Sequence, residues 1–539
     1  MKKIDKKIVF AAWSCHDQFY ALNQWIDSFE KVIKTVISFD PKEQIYLHGK
    51  EKMNNNFIEL IRLEKPDYIF FWLIYDEFNL SLFDKIKEIS PKTKLIGFFG
   101  DDDVTFENLS RYYALFFDYC LIFQKNFESI YKKEGISNVY SILGANTSKY
   151  HPLNVRKEYD VGFIGTPKSN RYKCIKYLKD NGIKVKVAGA GWEKYPEFKE
   201  DYLGKLTTEE STEFISKSKI NLSFTRNYFG ELHYNSRIFE IMACKSFVIT
   251  EYFKGYRDLF KENECVLFDT NEYLLKKINY YLKHEKEREE IAKNAYKKTV
   301  YQFSYENQLR NIFEKIEKNK EEKISKIETE TGKIGYLTTA ELKENSSYLS
   351  NKLKDNDYVS FKDDSVVKSD YRDFLQIHSL IKSKKDISCC DYYIYNKMIG
   401  NYLCFASFSA YEESEKEFHK CIVPYQLVFK KDFFLKNVEE IKKYLLKNED
   451  NLISKENTVL VSIPLIKMKE SKYPPVINIG KQYLPKFEND LVYIFHNRKL
   501  FLPIYLALLL FFSGKYRKLI ASEIINRMHS YMQKRGKNV

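Results

Sequence analysis

The run YDVGFIGTPKSNRYKCIKYLKDNGIKVKVAGAGW, Tyr159–Trp192, decides the fold class. Tyr159–Ile164 is an apolar strand that runs directly into Gly165. A helix is expected over Ser169–Asn181 and a second strand over Ile183–Ala188. Strand, helix and strand at this spacing make a βαβ unit, and such units build a parallel sheet with helices on its faces.

The alternation continues on both sides. Downstream, the pattern predicts a helix over Thr208–Ser216, a strand over Ile220–Phe224, a helix over Arg237–Ala243 and strands over Ser246–Thr250 and Val266–Phe268. A long helical stretch, Asn271–Val300, and a helix over Tyr305–Lys315 close it. Upstream, strands are expected over Lys7–Trp13, Thr35–Phe39, Tyr68–Leu73, Lys94–Phe99, Tyr119–Phe123 and Val139–Leu143. Amphipathic segments lie between them, at Phe19–Ile33, Asn55–Leu63, Leu80–Ile89 and Asn126–Lys133. The expected class is α/β, with two Rossmann-like doubly wound domains at 1–150 and 151–318. A charged linker, 319–334, then leads to a C-terminal α+β module, 335–539.

Composition agrees with several folded domains. The chain has 539 residues, 44% of them hydrophobic and 30% charged, which supplies ample core material. Its net charge is 88 − 74 = +14, yet no zinc-finger spacing or RNP-type aromatic motif turns that charge into nucleic-acid recognition. A lysine-rich solvated surface is the expectation. Nine cysteines lie scattered without a CxxC pair, several inside apolar runs, as buried thiols do in a reducing compartment. The N-terminal apolar run is too short for a signal peptide. The longest apolar run, Leu500–Phe512, contains Pro503 and falls short of the ~20 residues a membrane span needs. The expected location is cytoplasmic.

Three constellations follow strand ends of the second domain, where open α/β sheets bind ligands. In the first, Gly165 lets the backbone approach a phosphate, and Arg171 in the first helical turn offers a guanidinium fork to a diphosphate. An ordinary βα turn with a solvent-facing arginine fits the same residues. The second is AGAGW, whose two glycines, Gly189 and Gly191, sit at a strand's C-terminal end and whose Trp192 either lines a nucleoside pocket or packs under the following loop. The third is NYFGELHYNSRIFEIMACKSFVITE, Asn227–Glu251. There Asn235 or Ser236 caps a helix, and Arg237 and Glu240, three apart, share the face of its first turn. The arginine suits phosphate charge and the carboxylate suits a pair of ribose hydroxyls. A plain intrahelical ion pair is the competing reading.

The stretch NSRIFEIMACKSFVITEYFKGYRDLFKENECVLFD resembles the donor domain of GT-B glycosyltransferases, in the branch of spore-coat maturation (CgeB-like) proteins. The likeness runs on through YLLKKINYYLKHEKEREEIAKNAYKKTVYQFSYENQL, similar to that domain's closing helices. VYSILGANTSKYHP is similar to the family's crossover between domains. The resemblance implies a metal-independent transferase with 1–150 as acceptor domain, 151–318 as donor domain and a UDP-sugar as donor. It implies that Glu240 binds the ribose, that Arg237 and Arg171 bind the diphosphate, and that Gly165 makes room for it. Two departures stand out. Lys245 occupies a position where the family usually has glycine, and Glu231 and Glu240 are nine apart, not the eight of the Glu-x7-Glu pattern. The stereochemical outcome stays open.

An inverting transfer needs a general base on the acceptor side. Two loops at strand ends qualify: Ser14–Asp17, with His16, and Gly100–Asp103, with Asp101 and Asp102 as candidates. Three adjacent aspartates also suit helix capping, or a divalent metal. By the resemblance no metal is expected, and capping or acceptor contact is favoured.

Asp355–Tyr395, Pro424–Asn437 and Val459–Ser471 resemble pieces of a GT-A transferase, with Asp363-Asp364-Ser365 at its acidic motif. Too little chain precedes that motif for a complete GT-A domain, so a truncated accessory module is expected. The last forty residues read as an apolar helix and a basic amphipathic one, suited to packing, a homodimer or peripheral membrane contact. The function expected is transfer of a hexose or N-acetylhexosamine from a nucleoside-diphosphate sugar to a protein, such as flagellin or another surface protein, or to a glycan. A sugar-nucleotide epimerase on the same fold would turn over donor without an acceptor. A degenerate, non-catalytic scaffold would bind no nucleotide.

Overall fold

The structure is a computed structural model. It describes residues 2–13, 21–73, 77–168, 170–227, 230–318, 332–362, 366–369, 371–396, 401–405, 427–447, 452 and 457–468. The chain divides into two compact units, Met1–Pro41 with Asn56–Thr329, and Lys42–Asn55 with Glu330–Val539.

The first unit holds two parallel sheets. One contains β1 (Ile4–Ala11), β2 (Ile33–Phe39), β3 (Tyr68–Trp72), β4 (Lys94–Phe99), β5 (Tyr119–Ile122) and β6 (Val139–Ser141), in the order β2-β1-β3-β4-β5-β6. All five pairings are parallel. The other contains β7 (Tyr159–Ile164), β8 (Val185–Ala188), β9 (Ser218–Ser223), β10 (Val248–Glu251) and β11 (Val266–Phe268), in the order β11-β10-β9-β7-β8, again parallel throughout. Each order reverses once, between β1 and β3 and between β7 and β9. Chains leaving neighbouring strands there diverge to opposite faces and open a crevice at the carboxyl ends.

Strands buried on both faces read as nearly continuous apolar runs, and these do. Phe10, Phe70 and Phe98 line one face of the first sheet beneath Trp25 and Phe29 of the helix Ala21–Val32. Phe10 and Phe70 stack at 4.9 Å, and Trp25 lies 4.8 Å from Phe98. Val161, Phe163, Val187, Ile220, Leu222 and Ile249 form the corresponding core of the second.

Two helical features depart from the expectation. The stretch Asn271–Val300 is two helices, Asn271–Lys283 and Glu285–Gln302, parted at His284. That residue has ψ of 66°, its Nδ1 lies 2.7 Å from the Tyr280 carbonyl, and its ring stacks on Tyr280. The helix Tyr305–Lys318 returns to the first sheet. Tyr305 stacks on Trp25 at 4.4 Å, and Phe313 packs against Tyr68 and Phe29.

The second unit is α+β. Its mixed sheet contains β12 (Ile334–Leu337), β13 (Tyr358–Phe361), β14 (Val366–Lys368), β15 (Ile387–Asn396), β16 (Asn401–Phe405), β17 (Leu427–Lys430) and β18 (Thr458–Met468). The order is β12-β13-β17-β15-β18-β14, with β16 antiparallel to β15. The β12–β13 and β15–β18 pairs are parallel, and the β13–β17, β17–β15 and β18–β14 pairs are antiparallel. The helix Arg372–Ser383 carries a fully buried Arg372, which donates to Ser360 Oγ at 2.6 Å and to Asp373 at 2.9 Å. The linker residues 319–331, the motif Asp363-Asp364-Ser365 and the chain from 469 onward, with Leu500–Phe512, lie outside the described residues. Among the described residues no helix is long and apolar enough to cross a membrane.

Candidate functional site

The carboxyl ends of β7 and β9 flank the reversal point of the second sheet, and the residues there converge on one buried carboxylate. Glu251, the last residue of β10, accepts from Asn170 Nδ2 at 3.0 Å, Arg226 Nε at 2.8 Å, and Thr225 through both its N–H and its hydroxyl. Arg171 opens the helix Arg171–Asp180, and its Nη2 donates to the Arg226 carbonyl at 3.0 Å. Burial pulls the Arg171 guanidinium below its ordinary value, and the Glu251 charge partly offsets that. Arg171 Nε and Asn170 Oδ1 are both buried without a hydrogen-bond partner among the described residues. Buried polar atoms are nearly always paired, so two orphans beside a guanidinium set this cluster apart from an ordinary turn. Arg226 and Glu251 complete this cluster, although the sequence motif singled out neither. Their signal was position: the first residues past β9 and the last of β10.

The glycine loops contribute differently from the expectation. The Gly165 N–H donates to the Ala188 carbonyl at 2.9 Å, and its carbonyl accepts from Trp192 Nε1 at 2.7 Å. Gly165 therefore offers no free amide, and the place a Cβ would take is filled by the Phe163 ring, at 2.7 Å. Gly191, at φ of 99°, is left-handed as only glycine readily is, and its N–H is held by Glu193 Oε2 at 2.8 Å. Trp192 is fully buried against Phe163 and Phe198, so it supports the loop from beneath and has no surface left for a nucleoside. Gly189, the other glycine of AGAGW, is also left-handed. At φ of 116°, a Cβ there would come within 2.8 Å of the Gly165 carbonyl oxygen.

The helix Arg237–Ala243 begins where expected, but neither Asn235 nor Ser236 caps it with a side chain. Ser236 already has helical dihedrals and makes no capping bond. Asn235 instead donates to the Phe224 carbonyl at 2.7 Å, tying the helix start to the end of β9. Arg237 Nη1 lies 2.7 Å from Glu240 Oε2, so the two share the first turn's face, with Glu240 buried and Arg237 partly open. The turn that follows keeps the shape glycine would give it. Lys245 is left-handed at φ of 52°, its N–H bonds to the Met242 carbonyl, and the Ser246 N–H bonds to that of Ile241. That pairing is the Schellman arrangement.

Across from this site, the three aspartates after β4 diverge. Asp102 is buried, its Oδ1 accepts from Tyr131 at 3.0 Å, and burial pushes its carboxyl up to about 8. It is thus a neutral structural acid near pH 7, not an acceptor-facing base. Asp101 makes no capping bond. Asp101 is exposed, and desolvation, then the Asp103 charge, raises its pKa. Asp103 behaves oppositely. Burial would raise it, but hydrogen bonds from His233 and Asn227 outweigh burial and hold it low. His233 Nδ1 and Asn227 Nδ2 each lie 2.8 Å from Asp103 Oδ2. Both belong to the hairpin after β9, closed by an Arg226–Leu232 bridge and a His233 N–H bond to the Thr225 carbonyl. His16, the other candidate base, lies outside the described residues.

Residues 171–314 match the family model described as glycosyl transferase-like. This segment is similar to glycosyl transferase-like domains. It starts at Arg171 and takes in Arg226, Arg237, Glu240 and Glu251. A curated relative, the spore protein CgeB of Bacillus subtilis (strain 168), is 23% identical over 209 residues, 35% of this chain. The chain spans 65% of that relative's length. Among solved structures, HepE from Anabaena in complex with UDP-glucose is similar at a TM-score of 0.43 and 13% identity, over 58% of this chain and 100% of that one. A glycosyltransferase from Rickettsia africae is similar at a TM-score of 0.44 and 13% identity, over 60% of this chain and 100% of that one. The match to the family model ends at 314, and the GT-A likeness expected of residues beyond 335 finds no support.

Proposed function

We propose that this protein is a GT-B glycosyltransferase that moves a hexose or N-acetylhexosamine from a nucleoside-diphosphate sugar, UDP foremost, to a protein or glycan acceptor. The observation that carries the reading is the buried, unpartnered pair Arg171 Nε and Asn170 Oδ1 beside Arg226, at the reversal point of a sheet inside the glycosyl transferase-like domain. Loss of the diphosphate builds negative charge on the leaving group, and fixed guanidinium groups lower that barrier most effectively where water is excluded. In this reading Arg171 and Arg226 face the diphosphate, and Gly165 lets the Phe163 ring and Trp192 pack beneath it. Arg237 orients Glu240, which takes the ribose hydroxyls. The carboxylates after β4 lie on the acceptor side.

Incubating the protein with a panel of UDP- and GDP-hexoses and N-acetylhexosamines, with protein and glycan acceptors, tests this by product mass spectrometry. One sugar residue added to an acceptor, with free nucleoside diphosphate released, is the expected outcome. Isomerised donor without transfer would favour an epimerase, and no turnover or nucleotide binding would leave a scaffold.

A further inference from the structure

The hairpin after β9 brings an imidazole from the glycosyl transferase-like domain onto a carboxylate from the end of β4, 130 residues away in sequence. Asp103 is a carboxylate whose Oδ2 accepts from two donors, Asn227 Nδ2 and the His233 ring. An ionised carboxylate only accepts, so Nδ1 of neutral His233 must carry the proton and Nε2 must carry the lone pair. Nε2 has no hydrogen-bond partner among the described residues, and the side chain keeps 17% of its surface exposed while that of Asp103 keeps 6%. The backbone fixes the ring as well. The His233 N–H bonds to the Thr225 carbonyl, and the Tyr234 N–H bonds to Gln124 Oε1 at 2.9 Å. A buried carboxylate, an oriented imidazole and an accessible second nitrogen form the base half of a catalytic triad.

We infer that His233 is the general base of the transfer reaction, with Asp103 and Asn227 as its positioning residues. The inference rests on the glycosyl-transfer reading above. His233 Nε2 takes the proton of the acceptor hydroxyl as that oxygen bonds to the anomeric carbon of the donor sugar. The bond from that carbon to the diphosphate breaks, its electron pair leaves with the diphosphate, and the imidazolium then returns its proton to water. A single displacement inverts the anomeric centre. Among the described residues the acidic groups flanking the imidazole are Asp101 and Asp103, both from the end of β4. Asp101 is not needed to remove the proton and instead favours the transient imidazolium.

The test uses the full chain with UDP-glucose and UDP-N-acetylglucosamine, water or a glycan serving as acceptor. His233→Gln keeps a side chain able to donate to Asp103 but has no basic nitrogen. It is expected to lower turnover by about 10²- to 10⁴-fold while leaving the melting temperature and the UDP Kd unchanged. Asp103→Asn is expected to lower turnover too, because the tautomer is no longer fixed. Full activity in folded His233→Gln, or a product that retains the donor's anomeric configuration, would overturn the assignment and leave the transferase reading standing. Wild-type protein that neither binds UDP nor consumes either donor would overturn the transferase reading itself. Nitrogen-15 NMR of the imidazole reads the dyad without turnover: Nδ1 protonated and Nε2 bare is expected, and the opposite tautomer would contradict it.

Discussion

Asp101, Asp102 and Asp103 are chemically identical neighbours in three different surroundings. Asp101 faces solvent, Asp102 is buried beside Tyr131, and Asp103 is clasped by His233 and Asn227. Sequence composition puts the same side chain at all three positions, and only packing separates them. For Asp102 the separation has a pH signature. Its folded-state pKa of about 8 stands above the unfolded value near 3.8, so the folded state holds a proton the unfolded state has lost. That contribution to stability is fully present below the unfolded pKa and is lost as pH rises towards about 8. The total is on the order of a few kcal/mol. Asp102→Asn keeps an oxygen for the Tyr131 hydroxyl and removes the ionisation. Thermal melts should show the variant gaining several degrees over wild type between pH 5 and pH 8, whereas a constant gap would mean that Asp102 is not titrating in the folded state.

At the scale of elements, the strands were legible because a parallel sheet covered on both faces needs runs such as IFFW and VGFI, and few other contexts tolerate them. Helix ends were less legible. The break at His284 depends on a ring stacking on its own preceding turn, which a charge-rich pattern does not encode. The helix Arg237–Ala243 was placed correctly, but its expected cap was not, because Asn235 is spent on the end of β9. Lys245 shows that the turn after this helix survives without glycine, held by two backbone hydrogen bonds. Holding a residue with a Cβ in the left-handed region costs about 1 kcal/mol, and Lys245 is exposed, so Lys245→Gly removes that cost without opening a cavity. The variant should melt roughly 2–4 °C higher by calorimetry. A lower melting temperature would show that the lysine side chain makes a contact worth more than the strain.

Over the whole molecule, what sequence could not supply is distance. Arg171 and Arg226 meet across 55 residues, Asn170 and Glu251 across 81, and Asp103 and His233 across 130. Local spacing pointed to Arg171, to the Arg237–Glu240 pair and to the aspartates after β4, since each sits at a strand end or in a first helical turn. It could not find Glu251 as the hub, or His233 as the partner of Asp103. It also could not show that Trp192 would be consumed by the core, because a lone tryptophan after a glycine loop fits either role. The two parallel sheets nevertheless present their reversal points as the topology requires, and the orphaned atoms Arg171 Nε and Asn170 Oδ1 lie at the second of them. The most direct test of that convergence is isothermal calorimetry of UDP against the wild-type protein and against Arg171→Ala. The account predicts that wild type binds and that the variant binds about tenfold more weakly or worse, as loss of a charge-assisted hydrogen bond requires. Equal affinity in a folded variant, or no heat with wild type, would contradict it.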